Sequence, residues 1–378
     1  MEGSKLATER RNERLAVCIP TYKRAHLAAR LVRDVFGQTV QPDVLIVVDG
    51  DPASGEVRGE LERVLYPPNC QVVYVPSNHA NLAYQRYLGW RTAKQFGCEI
   101  LLYLDDDLRI EQPDAVEKVI TPLFWESGVV GVTANIVCGN PAEKFAGEPA
   151  LLDRAVKRRL DDPLLVRLLG AGRSVPPGGL TASGHRRAPQ LDGQSYAQVE
   201  WLRGGVMAYR MDALDEDCFS DDLFALCFVH CGLGEDTFLS RRVGSRGRLL
   251  FAFCATFLHP DEDLPKAYPI AAYRFGYASA YSRRLLNDNY RGLEPPRLSD
   301  RLALVKSYVG TALLEWSNAL LRPKRHRFAY AWGYTKGAVD GLFRPPTAKR
   351  LAPGIDWRAD AEKALATMAV LAPREDLA

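Results

Sequence analysis

The chain has 378 residues, 47% of them hydrophobic and 25% charged, enough for one large domain with additions or for two domains with a sizeable core. Lys and Arg number 49 against 46 Asp and Glu, a formal charge of +3, so no global field points to nucleic acid and partners must be read locally. The eight cysteines form no CxxC pair and several sit in apolar runs such as "LAVCIP", which argues against a disulfide framework and for a reduced, cytoplasmic chain.

The N-terminal tail, residues 1–14, mixes acids and bases and reads as neither a signal peptide nor an anchor. From 15 to about 138, short apolar runs alternate with helical periodicity. "LAVCIP", "DVLIVVDG", "CQVVYVP", "EILLYLDDD" and "VVGVTANIV" read as strands. Between them "HLAARLVRDVFGQ", "GEVRGELERVLY", "NLAYQRYLGWRTAKQFG" and "PDAVEKVITPLFW" read as helices. Strands apolar on both faces and alternating with helices predict a mostly parallel α/β sheet flanked by helices, with ligands bound beyond the carboxyl ends of the strands. Those ends carry Thr21, Tyr22, Lys23 and Arg24, then Asp49 and Asp51, then Ser77 and Asn78, then Asp105, Asp106 and Asp107.

Residues 139–198 break the rhythm. A helical stretch, "ALLDRAVKRRLDDPLLVRLL", leads into a Gly-, Pro- and Ser-rich segment, expected as an insertion that forms a mobile loop near the site. "VEWLRGGVMAYR" (199–210) then reads as a strand, "DDLFALCFVHCGLGEDTFLSRRVGSRG" as centred on a helix, and "RLLFAFCATFLHP" as a strand ending in His259. The catalytic unit is expected over 15–264 and a helical region over 265–378. Within the latter, 302–321 reads as an amphipathic helix, and 321–350 carries eight Lys or Arg and one Asp, interleaved with Phe, Tyr and Trp. Cys227, His230 and Cys231 would share a helix face. Three ligands from one turn make poor zinc geometry, so packing is their expected use. No apolar stretch is long enough to span a bilayer.

In an extended chain Asp105 and Asp107 point one way and Asp106 the other. Two carboxylates held together at a poorly solvated strand end raise each other's pKa unless a divalent cation sits between them, and oxygen ligands suit Mg²⁺ or Mn²⁺. Helix capping explains at most one of the three, since Asp114 is the nearer cap candidate.

"CIPTYKR", "IVVDGD", "NLAYQRYLG", "LLYLDDD" and "GEDTFLSRR" stand in the order and rough spacing of the family 2 glycosyltransferases of the GT-A fold, and over about 15–260 the chain resembles them. The resemblance implies transfer of a sugar from a UDP- or GDP-linked donor to an acceptor hydroxyl, with a divalent cation, Mn²⁺ or Mg²⁺. It implies that Pro20, Thr21 and Tyr22, with Arg24 beside them, lie against the nucleotide, and that Asp49 or Asp51 faces the base. Arg86 would brace the diphosphate or an acid of the metal site. Asp105 and Asp107 become the DxD pair, with Asp106 at the nucleotide sugar and His259 as a third metal ligand. Asp236 would be the general base of an inverting reaction and Glu235 its neighbour at the acceptor. Trp201, Arg203, Gly204 and Gly205 would line the sugar pocket.

Three other readings stay open. A nucleotidyltransferase would need a Gly-rich phosphate loop after the first strand, and "CIPTYKR" has none. A retaining transferase differs in stereochemistry, and an acid at 236 favours inversion. A non-catalytic nucleotide-sugar-binding module would use the basic aromatic region as its contact surface. The acceptor, whether small molecule, peptide or lipid-linked glycan, is not legible. The basic aromatic region is compatible with peripheral contact to an anionic membrane, and self-association as a homo-oligomer stays open.

Overall fold

Runs of Val, Ile and Leu leave no polar face and are stable only with both sides covered. The computed structural model of the chain describes residues 13–138, 175–191, 193–260 and 269–371; the tail to residue 12 and the expected helix at 150–169 lie outside the described residues. Four such runs become parallel strands: β1 Leu15–Thr21, β2 Val44–Asp49, β3 Gln71–Pro76 and β4 Ile100–Leu104. Helices α1 Ala25–Phe36, α2 Glu56–Leu61 and α3 Leu82–Gln95 make the crossovers. α4 Ala115–Trp125 leads to β5 Val129–Cys138, and β6 Tyr196–Val199, β7 Val206–Arg210 and β8 Arg248–His259 complete this side. The nine-stranded sheet has the order β6-β8-β5-β7-β4-β1-β2-β3-β9, with β9 at Ala369–Leu371. Its two faces are apolar almost throughout, and each fully buried Val, Leu or Ile contributes about 1.5–3 kcal/mol. α3 lies so close to β1 that a Cβ on Gly89 would stand 2.3 Å from the Cys18 sulfur.

Register brings the functional edge together. Thr21 pairs with Asp49, and Asp49 with Pro76, so the parallel strands end level. β7 runs antiparallel between β4 and β5, so its beginning, not its end, reaches the same edge: Val206 pairs with Leu104. β8 is parallel to β5 and delivers His259 there.

Three expectations need correction. Residues 199–210 are not one strand: β6 lies at the sheet edge and β7 near its middle, so 200–205 must cross between them, and Trp201, Arg203, Gly204 and Gly205 lie in that connection. The expected helix around 221–247 is two, α5 Asp221–Phe228 and α6 Glu235–Val243. Left-handed turns at His230 (φ 59°) and Gly234 (φ 90°) separate them, so Cys227, His230 and Cys231 do not share a helix face. Asp114 makes no side-chain cap of α4; its carboxylate accepts from Gln112 (2.8 Å) and Lys118 (2.9 Å). The described end of the insertion, 175–191, forms a hydrogen-bonded strap, with Leu180 bridged to Arg186 and Gly178 donating to the Arg187 carbonyl.

The region expected to be helical from 265 comes next. α7 Pro269–Asp288, α8 Leu298–Leu321 and α9 Arg325–Phe343 form a helical layer, and α10 Ala348–Leu351 and α11 Trp357–Ala366 follow. The chain then returns to the catalytic sheet, where β9 pairs antiparallel with β3 and Trp357 is buried among Tyr84, Phe224 and His79. Sequence reading missed β9 because three residues at an edge carry no period.

Candidate active site

The strand edge holds two linked ionic clusters. β4 stops at Leu104, and Leu108 N–H donates to the Asp105 carbonyl across a turn at Asp106–Asp107. The turn cancels the strict alternation expected of an extended chain. Asp105 faces Arg86, which donates to it at 2.8 Å, while Asp106 and Asp107 both accept from Arg24, at 3.1 and 2.7 Å. Asp106 also accepts from the Thr21 hydroxyl at 2.7 Å, and burial pushes its pKa up to about 6. His259 Nε2 stands 3.3 Å from Asp107, and His259 Nδ1 is buried with no hydrogen-bond partner among the described residues.

Arg86, 2% exposed, is the hub of the second cluster. Asn81 caps α3 by accepting from Tyr84 N–H and is itself anchored to the Phe224 carbonyl. That aims Arg86 at Asp105, at Glu235 (3.1 Å) and at the Gly204 carbonyl (3.0 Å). Glu235 and Asp236 open α6, where the helix dipole favours acids. Burial first, then the Asp236 charge, raise Glu235 to about 7 against the pull of Arg86. Asp236 accepts from Thr237 N–H (2.6 Å), Gly204 N–H (3.0 Å) and Arg186 (2.8 Å). A Cβ on Gly204 would sit 3.2 Å from that of Asp236, so the connection before β7 packs directly against the acid.

Arg186, on the strap, is a contact the sequence did not signal. It sits in a segment without period, yet its guanidinium lies 5.0 Å from the Trp201 ring centroid and bonds Asp236. Trp201 itself is buried, its indole N–H on the Arg187 carbonyl, so it serves as the platform of the strap. Gln85 was missed too: it ties the Thr21 and Val48 carbonyls together, holding the ends of β1 and β2.

On the nucleoside side, Pro20 lies within the β1–β2 ladder and Tyr22 is exposed. Asp49 is fully buried, accepting from the Tyr74 hydroxyl and Asp51 N–H at 2.8 Å each, and burial raises its pKa. Of the two acids expected to face a base, Asp51 is the one at the surface, and Asp49 shapes its turn.

Two cavities meet at α6. One of about 830 Å³ is bounded by Asp105, Trp201, Gly204, Gly205, Glu235 and Asp236. The other, about 450 Å³, lies between α6 and α7 and reaches Phe275, Ser279 and Arg283. Arg186, Glu235 and Asp236 line both.

Among the described residues no three His, Cys, Asp or Glu side chains converge as a metal cage. The expected trio of Asp105, Asp107 and His259 is divided: Asp107 and His259 meet, and Asp105 is drawn to Arg86. The charge pattern still suits a cation, since five carboxylates (Asp105, Asp106, Asp107, Glu235 and Asp236) pair with three guanidiniums (Arg24, Arg86 and Arg186).

A parallel core with acids at its carboxyl edge, extended by an antiparallel strand and faced by a helix-borne acid pair, is a GT-A-like arrangement. Residues 16–169 match the family model described as Glycosyl transferase family 2. The match includes Asp105–Asp107 and ends before Glu235, Asp236 and His259. No curated protein matches the chain. Among solved structures, similarity is found to the mannosyltransferase PcManGT from Pyrobaculum calidifontis in complex with GDP-Man and Mn²⁺ (16% identity, 89% of this chain and 88% of that one, TM-score 0.45). A mycobacterial protein also matches, at 16% identity over 77% of this chain and 78% of that one, with a TM-score of 0.38. Likeness at this level bears on neither donor nor metal.

Proposed function

We propose that the chain transfers a sugar from a UDP- or GDP-linked donor to an acceptor hydroxyl with inversion, Asp236 acting as general base. The observation that carries this reading is that Asp236 lines both cavities. A base has to reach the acceptor hydroxyl while that oxygen faces the anomeric carbon, so it belongs where the donor and acceptor chambers join. The larger chamber, running to Asp105, is assigned to the donor and the α6–α7 chamber to the acceptor. Thr237 and Gly204 N–H orient the carboxylate, and Arg186 moves from it as the acceptor enters. Arg86 holds Asp105 and Glu235 in place, and Tyr22 and Asp51 meet the nucleoside. Asp107 and His259 are the residues that would hold a divalent cation, Mn²⁺ or Mg²⁺, which supplies positive charge to the departing diphosphate.

A panel of nucleotide sugars tests the assignment. With Mn²⁺ or Mg²⁺ the chain is expected to release nucleoside diphosphate from one UDP- or GDP-sugar, and EDTA is expected to abolish that release. A product anomer with the donor's configuration would overturn inversion, and release that persists in EDTA would overturn the metal role.

Glu235 gives a pH test. A buried acid whose folded pKa lies near 7, above its unfolded 4.5, leaves the folded state holding more protons between those values, so stability falls as pH rises through that window. The full effect is at most about 3 kcal/mol. Glu235→Gln is expected to flatten the dependence of unfolding free energy on pH between 5 and 8. An unchanged slope in urea titrations would show that Glu235 is not the group responsible.

A further inference from the structure

Helices α8 and α9 are packed inside out for a surface in water. On α9, Gly333 and Gly337 face α7 so closely that a Cβ would meet the Tyr273 and Tyr277 carbonyl oxygens at 2.1 and 2.3 Å. Small residues, with the buried Tyr334, thus take the inner face, and the bulky apolar side chains Trp332, Val339 and Phe343 are left outside. On α8 the exposed stripe runs at steps of three and four through Leu298, Leu302, Val305, Val309 and Leu313 and resumes at Leu320. Leu320 is 67% and Phe343 79% exposed. Trp316 joins the two stripes: its indole N–H donates to Thr335, which lies one turn from both Trp332 and Val339. A helix of 24 residues is about 36 Å long, and the α8 stripe runs along nearly all of it. An exposed apolar surface of that extent marks an interaction site.

Charge selects the occupant. From Trp316 to Val339 there is no acid, while Arg322, Lys324, Arg325 and Arg327 cluster at the α8–α9 turn. A second copy would bring the same cations, while the acids of this hairpin are withdrawn from its surface: Asp300 and Asp340 are buried and Glu315 is half-buried. Among the described residues no helix is long and apolar enough to cross a membrane, so insertion across a bilayer is not its use. We propose that the α8–α9 hairpin docks on the surface of an anionic phospholipid bilayer, its apolar stripes lying at the boundary between headgroups and acyl chains and its turn cations on the phosphates. This docking is independent of the sugar chemistry and is tested without donor.

The full chain is expected to sediment with vesicles of phosphatidylcholine and phosphatidylglycerol at low salt, and roughly tenfold less with phosphatidylcholine alone. The double substitution Leu302→Glu with Leu313→Glu, both on exposed positions, should lower partitioning at least about tenfold with an unchanged thermal midpoint. Arg322→Glu with Lys324→Glu and Arg325→Glu should remove the preference for phosphatidylglycerol. If the apolar variant fails to fold, quenching of tryptophan by brominated lipid, lost in part in Trp332→Phe, supports the docking. Wild-type chain left in the supernatant with mixed vesicles overturns the proposal, as does undiminished binding by the folded apolar variant. A wild-type dimer that the apolar variant splits, without vesicle binding by either, would also overturn it and assign the face to a second copy.

Discussion

Replacing Asp236 by Asn is expected to lower transfer about a thousandfold while donor affinity changes less than about twofold. The substitution keeps the shape of the side chain and an oxygen for Thr237 N–H, so α6 stays in place, while Gly204 N–H and Arg186 lose their acceptor. It removes the one property a general base requires, a carboxylate basic enough to take the acceptor proton as the new bond forms. The donor chamber loses only one of its lining charges, so binding of nucleotide sugar, followed by calorimetry, is the internal control. Transfer at near wild-type rate would remove Asp236 from its role. A loss of donor affinity equal to the loss of rate would move it to the donor site.

Arg86→Met should cost about 3–5 kcal/mol of stability, because it leaves buried acids facing one another without their cation. Asp105 and Glu235 both depend on that guanidinium, as does the Gly204 carbonyl. The direction with pH distinguishes this from lost packing. The orphaned carboxylates would escape their repulsion by taking up protons, so the deficit should shrink at pH 5 and grow at pH 8. Urea titration of both forms at the two pH values reads it directly. A deficit below about 1 kcal/mol, or one independent of pH, would show that the Arg86 network contributes little.

What was legible in the sequence follows from local period. β1 to β4 and the helices between them could be read because runs apolar on both faces have few alternatives to a covered parallel sheet. Strand ends then put Thr21, Asp51 and Asp105–Asp107 on one edge. Asp106 shows the limit: alternation turned it away from its neighbours, but a turn after Leu104 brings it to Arg24 beside Asp107. The outcome depended on where the strand stopped, which ±1 residue decides.

By itself, then, the sequence determined the parallel core and its acidic edge, because hydrophobic period acts over a few residues. Only the tertiary structure decided that Arg86 spans Asp105 and Glu235, that Arg186 covers Asp236, that β9 returns to the sheet and that α8 turns apolar residues outward. Those are contacts between segments up to 299 positions apart, set by which surfaces meet when the sheet closes, and no local pattern encodes them.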